Sequence, residues 1–594
     1  MRVTLGRRIW LNGELGWKVG GEQGEGIDST GEIFAWTLHR LGYYAFAYRH
    51  FMSRVKGGHT NYKIRVTDRA VGHHGDDLHI LVAFDQETVN VNWDEMVDGG
   101  IVIADVASGD VQHPETGNVH FCSIPLTGLA KESGSAIMKN MVAVGVTAAI
   151  VGLTPEDFLS VIEDRFKKKG QAVVDSNLSA VRIGYDYYNQ HFSHHLQLPL
   201  RPVAIAPRHL YISGNEATAL GALAAGCRVL AAYPITPATE IMYWLVKYLP
   251  EYGGVVVQAE DEISAVNMAL GANYAGARAM TSTSGPGFSL MMETLGLAGI
   301  SETPLVIVDV QRGGPSTGLP TKTEQSDLYE ALYGSHGESP RIVLTPTTIE
   351  ECFRFAVEAF NLAETYQCPV ILASDLYMGM SKGSIDSLDT SSVQIRRGKL
   401  VTQSELEGVS RGEFKRYQVS EDGISPRAIP GQKGGRFIAL GNEHDEFGSE
   451  MEDQSMRVLQ MDKRARKLQS FHELSGASVS GPKDAQITLV GFGSTRGVID
   501  EARTALMQQG LIVAHVQVSV VAPFPADLIR PYIAGAGTVL AVEVNSRGQL
   551  ADQLRLQLGY HEKIQSCLKY DGDPMLVKDI VKRAKEVIAV GSVN

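Results

Sequence analysis

The sequence predicts an α/β protein built from several parallel-sheet domains. Two observations carry that expectation. Short apolar runs rich in Val and Ile alternate with segments of helical spacing, the pattern of strand–helix–strand units joined by right-handed crossovers. Glycine- and proline-rich turns punctuate the transitions. The chain has 594 residues, which suggests roughly four domains.

The first unit is expected over 1–200. Trp17 to Gly26 reads as a strand and glycine loop, and 28–41 as a helix with Ile33, Phe34, Trp36, Thr37 and Leu41 near one face. Residues 78–84 and 101–106 read as buried strands, and 201–207 as a linker. The second unit is expected over 208–385 and includes a strand at 342–344, a helix at 348–365 and a strand at 369–373. Residues 386–484 are polar and weakly periodic. So long a stretch is not plain loop and is expected to wrap over other domains. The last unit, 485–594, reads as strand 487–492, turn, helix 497–508, then strands at 512–518 and 539–544.

Bulk properties exclude several classes. A net charge of -13 and no basic stripe argue against nucleic-acid binding. The cluster Lys463-Arg-Ala-Arg-Lys467 reads as a solvated helix face. No apolar run approaches the ~18 residues of a membrane span, and the N-terminus shows no secretory apolar core. Cys122, Cys227, Cys352, Cys368 and Cys567 are scattered without C-x-x-C spacing. They are expected to be buried, inert thiols in a reducing cytoplasm, not ligands of a cluster.

Three segments of the second unit carry the chemistry. Val229-Leu-Ala-Ala-Tyr-Pro-Ile-Thr-Pro237 reads as a strand stopped by Pro234, with Thr236 as N-cap and Pro237 as the first residue of a helix apolar at Ile241, Trp244, Leu245 and Tyr248. Val255 to Glu262 is a strand running into Glu260, Asp261 and Glu262, followed by a small-residue helix. Pro304 to Arg312 is a strand delivering Arg312 into a Gly/Pro/Thr loop ending at Lys322, and 277–287 is a further strand with a Ser284-Gly-Pro-Gly turn. Parallel strands end on one side of a sheet. Thr236, Glu262, Ser284 and Arg312 are therefore expected along one rim, where open α/β sheets bind small anionic ligands.

Tyr233-Pro-Ile-Thr-Pro237, Glu260-Asp-Glu-Ile-Ser-Ala265 and Gln311-Arg-Gly-Gly-Pro-Ser-Thr-Gly-Leu-Pro-Thr321, in that order, resemble the α subunit of 2-oxoacid:ferredoxin oxidoreductases. The 2-oxoglutarate type with a γ domain fused at the N-terminus is the nearest pattern, and the resemblance covers nearly the whole chain. It implies a γ-type domain over 1–200, a transketolase-like, thiamin diphosphate pyrimidine-binding domain over 208–385, a connecting segment over 386–484 and a transketolase C-terminal-like domain over 485–594. It implies CoA-dependent oxidative decarboxylation of 2-oxoglutarate to succinyl-CoA and CO2 with reduction of ferredoxin, or the reverse carboxylation. The alternatives are a pyruvate, branched-chain or indolepyruvate enzyme, or a non-catalytic coenzyme-binding scaffold.

The resemblance also assigns roles. Thiamin diphosphate reacts through C2, whose proton goes to the 4′-amino group once a desolvated carboxyl shares a proton with N1′. Glu262 matches that carboxyl. Glu260 and Asp261 remain alternatives, as does a purely solvated first turn of a helix. Arg312 matches the planar fork that binds the oxoacid carboxylate; an ion pair with Asp309 is the structural alternative. Thr236 and Thr321 match hydroxyl donors, with capping as their alternative. Tyr233, Pro234, Ile235, Ser284 and Gly285 match cofactor-lining positions. Lys322 is a candidate for the distal carboxylate.

In the first unit, Arg54, Lys56, Gly57 and Gly58 are candidates for coenzyme A. The Gly21-Glu-Gln-Gly-Glu-Gly26 loop reads first as a tight turn, since Glu22 and Glu25 make a poor phosphate cradle. Asn442-Glu-His-Asp445 is expected to hold no metal, because adjacent loop residues rarely all point inward.

One motif is missing. Tyr570-Asp-Gly-Asp-Pro574 is not the family's Gly-Asp-Gly segment, and too little chain follows it for the accompanying Asn. The chain thus carries half an active site. A β subunit holding Mg2+, the diphosphate and a [4Fe-4S] cluster is implied, in an (αβ)2 assembly that uses coenzyme A as co-substrate.

Overall fold

A computed structural model of the chain describes residues 13–53, 57–109, 111–112, 118–192, 197–203 and 210–591. It divides into two compact units. One is Met1–Ile212 with Ser381–Ser387, and the other is Ser213–Met380 with Leu388–Asn594.

The first unit holds an eight-stranded sheet in the order His120–Ile124, Met96–Asp105, Leu78–Ala83, Glu14–Glu22, His59–Thr67, Tyr44–His50, Lys382–Ile385, Leu210–Ser213. The expected parallel sheet is corrected here to a mixed one. Glu14–Glu22, Leu78–Ala83, Met96–Asp105 and His120–Ile124 run parallel, whereas His59–Thr67 is antiparallel to both its neighbours. The reason lies between Tyr44–His50 and His59–Thr67. Gly57 (φ 79°) and Gly58 (φ 85°) take left-handed conformations there, at the entry to the second strand, at little steric cost. A short connection joins antiparallel strands, not parallel ones. The Ile27–Arg40 helix buries Ile33, Phe34 and Leu38, and Phe34 lies 4.8 Å from the Trp17 ring. The strand Lys382–Ile385 belongs to this sheet, so the segment expected to end at 385 gives up its last strand.

The second unit has two sheets. The larger runs Val520–Ala522, Ile342–Leu344, Pro369–Asp375, Leu305–Gln311, Ala279–Thr283, Val229–Ala232, Val255–Gln258. All neighbours are parallel except Val520–Ala522. The five-stranded sheet runs Ala477–Ser480, Val513–Val518, Ile487–Phe492, Thr538–Glu543, Ile564–Leu568, and only Ala477–Ser480 is antiparallel. Its helices and strands share one core with the larger sheet: Leu305, Ile307, Val343 and Ile371 lie in the same buried cluster as Val490, Val516, Val539 and Leu550. Each such side chain contributes about 1.5–3 kcal/mol on burial, so the two sheets fold as one body. Thr348 caps the Ile349–Tyr366 helix by accepting from Glu351 N. That helix packs closely on Gly214–Ala224, because a β-carbon at Gly221 would lie 2.3 Å from Phe353 O.

The stretch 388–484 is irregular apart from Gln454–Arg466 and Ala477–Ser480. It is held to the larger sheet's helices by buried charge. Lys463 Nζ lies 2.5 Å from Glu302 Oε1 and Lys467 Nζ 2.6 Å from Glu302 Oε2, with all three side chains fully buried. The expectation of a solvated basic face at 463–467 is therefore wrong. Glu302 supplies the counter-charge that makes burial of the two ammoniums tolerable.

Candidate active site

The four parallel strands Val255–Gln258, Val229–Ala232, Ala279–Thr283 and Leu305–Gln311 end on one rim. Glu262, Thr236, Ser284 and Arg312 follow them directly. Tyr233 at the start of its loop is exposed, and Pro234, Ile235 and Thr236 are half-buried.

The helix after Thr236 starts later than expected, at Thr239, with no side-chain cap. The carbonyls that would begin it are engaged elsewhere. Arg312 Nη1 donates to Thr236 O at 2.7 Å, and Asn215 Nδ2 donates to Pro237 O at 3.1 Å. The Thr236–Pro237 bond is cis. Thr236 is thus not an N-cap, and its hydroxyl has no protein partner among the described residues. Ile241 and Leu245 are buried as expected, while the rings of Trp244 and Tyr248 pack on each other at a tilt, with centroids 4.5 Å apart.

Of the three acids, Glu260 is exposed and Asp261 caps the helix, accepting from Ser264 N at 2.7 Å. Glu262 is the first helical residue and only 7% exposed. Among the described residues nothing donates a hydrogen bond to its carboxylate. It lies over Gly287 and Thr283: a β-carbon at Gly287 would fall 2.4 Å from Glu262 Oε1 and 2.2 Å from Thr283 Oγ1. Only glycine leaves room there. Beside it, Ser284 Oγ is buried without a partner among the described residues.

Arg312 reaches across the end of the Ala279–Thr283 strand to Thr236 O, and its Nη2 donates to Thr317 O at 3.3 Å. Its buried Nε has no partner among the described residues. Burial lowers the guanidinium from its ordinary value, and the Asp327 charge opposes that shift. There is no ion pair with Asp309. Both Asp309 oxygens are buried and unpartnered among the described residues. Thr321 is buried on the return limb of the loop, where Gly313 N donates to Lys322 O at 3.0 Å. Lys322 Nζ is engaged by Asp573 Oδ1 at 2.9 Å, so the expected free cation is already paired.

Residues beneath this rim were not singled out from sequence. Burial raises the Asp309 carboxyl well above its usual range, with Asp327 and Glu330 adding to it. Burial likewise raises Asp327 to about 7, helped by Glu330 and Glu324. Asp327 lies against Gly285, whose β-carbon would sit 2.8 Å from Asp327 Oδ2. The signal for Asp309 was available, since it is a lone acid inside the apolar Leu305–Gln311 strand.

In the first unit, Arg54 and Lys56 lie outside the described residues, and Gly57 and Gly58 lead directly into the strand His59–Thr67. Glu25 closes the glycine loop on itself. Its Oε2 accepts from Glu22 N at 3.0 Å and its Oε1 from Lys139 Nζ at 2.6 Å. A carboxylate therefore occupies the donors that a phosphate would need.

At 442–445, His444 is buried against Tyr417, with ring centroids 3.9 Å apart. Glu443 is taken by Arg464 at 2.6 Å. Among the described residues no group of three or more His, Cys, Asp or Glu is placed to hold a metal ion, and no helix is long and apolar enough to cross a membrane. All five cysteines are free and buried. Burial pushes the thiols of Cys122, Cys227, Cys368 and Cys567 up to about 12.

Comparison with known proteins identifies the family. Residues 220–463 match the thiamine diphosphate-binding family model of pyruvate flavodoxin/ferredoxin oxidoreductases, and residues 16–187 match the pyruvate ferredoxin/flavodoxin oxidoreductase model. The chain is 31% identical to a 2-oxoacid:ferredoxin oxidoreductase subunit alpha of a Sulfolobus species, over 97% of each chain. It is also 31% identical to a 2-oxoglutarate oxidoreductase subunit of Mycobacterium tuberculosis, over 96% of this chain and 91% of that one. The structure of 2-oxoglutarate:ferredoxin oxidoreductase from Magnetococcus marinus, with 2-oxoglutarate, coenzyme A and succinyl-CoA bound, superposes with a TM-score of 0.91 at 36% identity, covering 97% of this chain and 100% of that one. Relatives at this identity align over almost the full length, and the chain belongs to the 2-oxoacid:ferredoxin oxidoreductase family, as an alpha subunit with a gamma-like N-terminal region.

Proposed function

We propose that the chain is the alpha subunit of an enzyme that oxidatively decarboxylates 2-oxoglutarate to succinyl-CoA, or runs the reverse carboxylation. The carrying observation is the rim itself: a buried carboxylate without a protein donor, Glu262, and an anchored guanidinium with donors to spare, Arg312, both following parallel strands that end on the same side of one sheet. The bound 2-oxoglutarate of the Magnetococcus relative supports the choice of oxoacid.

The rim fits the aminopyrimidine of thiamin diphosphate. An unpaired buried carboxylate is costly unless something shares its proton, and Ser284 adds a buried hydroxyl with no partner. When bound, the coenzyme supplies the nucleophilic carbon and the electron sink. With the coenzyme bound, Glu262 would hydrogen-bond the ring nitrogen N1′ and so favour the tautomer that accepts the C2 proton. Tyr233, Pro234, Ile235 and Gly285 bound the same recess. Arg312, steadied by two backbone carbonyls, keeps its remaining N–H groups for the carboxylate beside the ketone, with Thr236 and Thr321 as hydroxyl donors. The distal carboxylate competes with Asp573 for Lys322 or is met by the partner.

That partner is a beta subunit supplying Mg2+, the diphosphate contacts and a [4Fe-4S] cluster that passes electrons to ferredoxin. The inert buried cysteines of this chain support that division of labour. Tyr243, Val246, Tyr252, Val255, Ile263 and Met268 are exposed on or beside the edge strand Val255–Gln258, a surface suited to the partner. We place the enzyme in the cytoplasm, as an (αβ)2 assembly with coenzyme A as co-substrate.

Two measurements on the assembled complex test the reading. Glu262→Gln should keep assembly and lower turnover by about two to four powers of ten, while Glu260→Gln stays near wild type. Normal turnover in Glu262→Gln defeats the catalytic assignment and favours the scaffold alternative. Competition between 2-oxoglutarate and pyruvate should favour 2-oxoglutarate by at least about tenfold in kcat/KM. A preference for pyruvate or a branched-chain oxoacid leaves only the broader family.

A further inference from the structure

The loop that carries Arg312 and Thr321 leaves the sheet at Gln311 and returns at Asp327. Its base is closed by one side chain: Gln311 Oε1 accepts from Asp327 N at 3.0 Å, and Gln311 Nε2 donates to Ser374 O at 3.1 Å. Within it, Leu319 N donates to Gly313 O at 2.8 Å and Gly314 N to Glu324 Oε2 at 3.0 Å. Single bonds also tie the loop outward, from Arg312 to Thr236 O and from Lys322 to Asp573. Gln325 is the buried residue that ties it to the five-stranded sheet and to Asp375 at once.

Gln325 is 1% exposed, and each of its polar groups is bonded outside the loop. Its backbone N donates to Val544 O at 2.6 Å, and its carbonyl accepts from Asn545 Nδ2 at 3.2 Å. Its Oε1 accepts from Val544 N at 3.2 Å, and its Nε2 donates to Asp375 Oδ2 at 3.0 Å and to Phe492 O at 3.2 Å. Phe492 and Val544 end, or directly follow, strands of the five-stranded sheet, and Asp375 ends a strand of the larger one. Asp375 Oδ2 is held in turn by Ser494 Oγ at 2.6 Å. Space is equally tight, because a β-carbon at Gly493 would fall 2.8 Å from Gln325 Nε2.

We infer that Gln325 is a positioning residue for the 2-oxoacid site, fixing the Arg312–Thr321 loop against the five-stranded sheet. This rests on the assignment of Arg312 and Thr321 to the substrate. A shorter side chain cannot reach Asp375, Phe492 and Val544 together, and the return limb carrying Thr321 shifts relative to Arg312. Misplacement of about 1 Å at an orienting group costs up to about 10²-fold in rate.

The test uses the complete complex with its partner. Gln325→Asn should raise KM for the 2-oxoacid about tenfold and leave KM for coenzyme A unchanged. On an Arg312→Lys background the same change should add little, because Gln325 acts through the clamp already lost. An unchanged oxoacid KM, or effects that multiply in full, overturns the inference. If Gln325→Asn fails to assemble, Ser494→Ala decides: it removes one donor from Asp375 and should raise the oxoacid KM alone by about threefold, and no change overturns the inference. If Arg312→Lys itself leaves the oxoacid KM unchanged, the substrate assignment fails and the inference falls with it.

Discussion

Glu262 rests on Gly287, with its Oε1 only 2.4 Å from where a β-carbon at that glycine would stand. The helix that follows Val255–Gln258 thus aims its first carboxylate at the turn that follows Ala279–Thr283, across the end of the intervening Val229–Ala232 strand. Gly287→Ala should push the carboxylate off this seat without removing it. Turnover is expected to fall by about 10- to 10²-fold, the scale of a misplaced acid–base group, with KM for coenzyme A unchanged. Steady-state kinetics on the complex decide the point, and wild-type turnover would show that the carboxylate's seat is not critical.

Arg312→Lys should raise KM for the 2-oxoacid and lower kcat together. A lysine ammonium is a point charge that cannot hold Thr236 O and Thr317 O while offering a planar fork. Loss of about 10²-fold in kcat/KM is expected. Normal constants would return Arg312 to a loop-holding role.

Asp327→Asn should change how stability depends on pH. The carboxyl is raised by burial to about 7, against about 4 in the unfolded chain. Between those values the native state holds a proton that the unfolded state has released. Stability therefore falls as pH rises through this window and levels off above it. The neutral variant loses that slope. It should match the wild type near pH 4 and exceed it at pH 8 by about 2–4 kcal/mol. Thermal unfolding at pH 5 and 8 checks this, and equal slopes for both proteins would refute it.

Glu302→Gln should loosen the 388–484 stretch by leaving the buried Lys463 and Lys467 ammoniums uncompensated. The cost is expected at about 3–5 kcal/mol. Replacing Glu302, Lys463 and Lys467 together by apolar residues of similar size should recover part of it, since both ammoniums leave with their counter-charge and only the Arg416 guanidinium, bonded to Glu302 O, stays buried there. Denaturant unfolding and limited proteolysis report both outcomes. Equal loss in the single and triple variants would argue against the charge account.

The chain order of strands and helices around the site was legible because it depends on local pattern. Val229–Ala232, Val255–Gln258, Ala279–Thr283 and Leu305–Gln311 are short apolar runs closed by Gly, Pro or acidic turns. Their common rim follows from parallel pairing alone. Three acids ahead of a small-residue helix were legible, but which of them caps it and which turns inward was decided by the structure, where Asp261 is the cap and Glu262 is buried. Three features were not local. Thr236 looks like an N-cap in sequence, but Arg312, far along the chain, takes the carbonyl that the helix would have used. Lys463 and Lys467 look like surface lysines until Glu302 is placed against them. His59–Thr67 joins its sheet antiparallel to both neighbours.

By itself, the sequence determined the alternation of strands and helices, the end of the sheet where the motifs gather and the residue types available there. Tertiary structure decided which of those groups are left unpaired. Asp309, Gln325 and Lys322 are ordinary polar residues in one dimension. Burial, with or without a partner from a distant segment, raises the carboxyl of the first well above its usual range and makes the second an anchor, while Asp573 pairs the third. Desolvation and hydrogen bonding are properties of the space around a side chain, and that space is filled by residues far away in the chain.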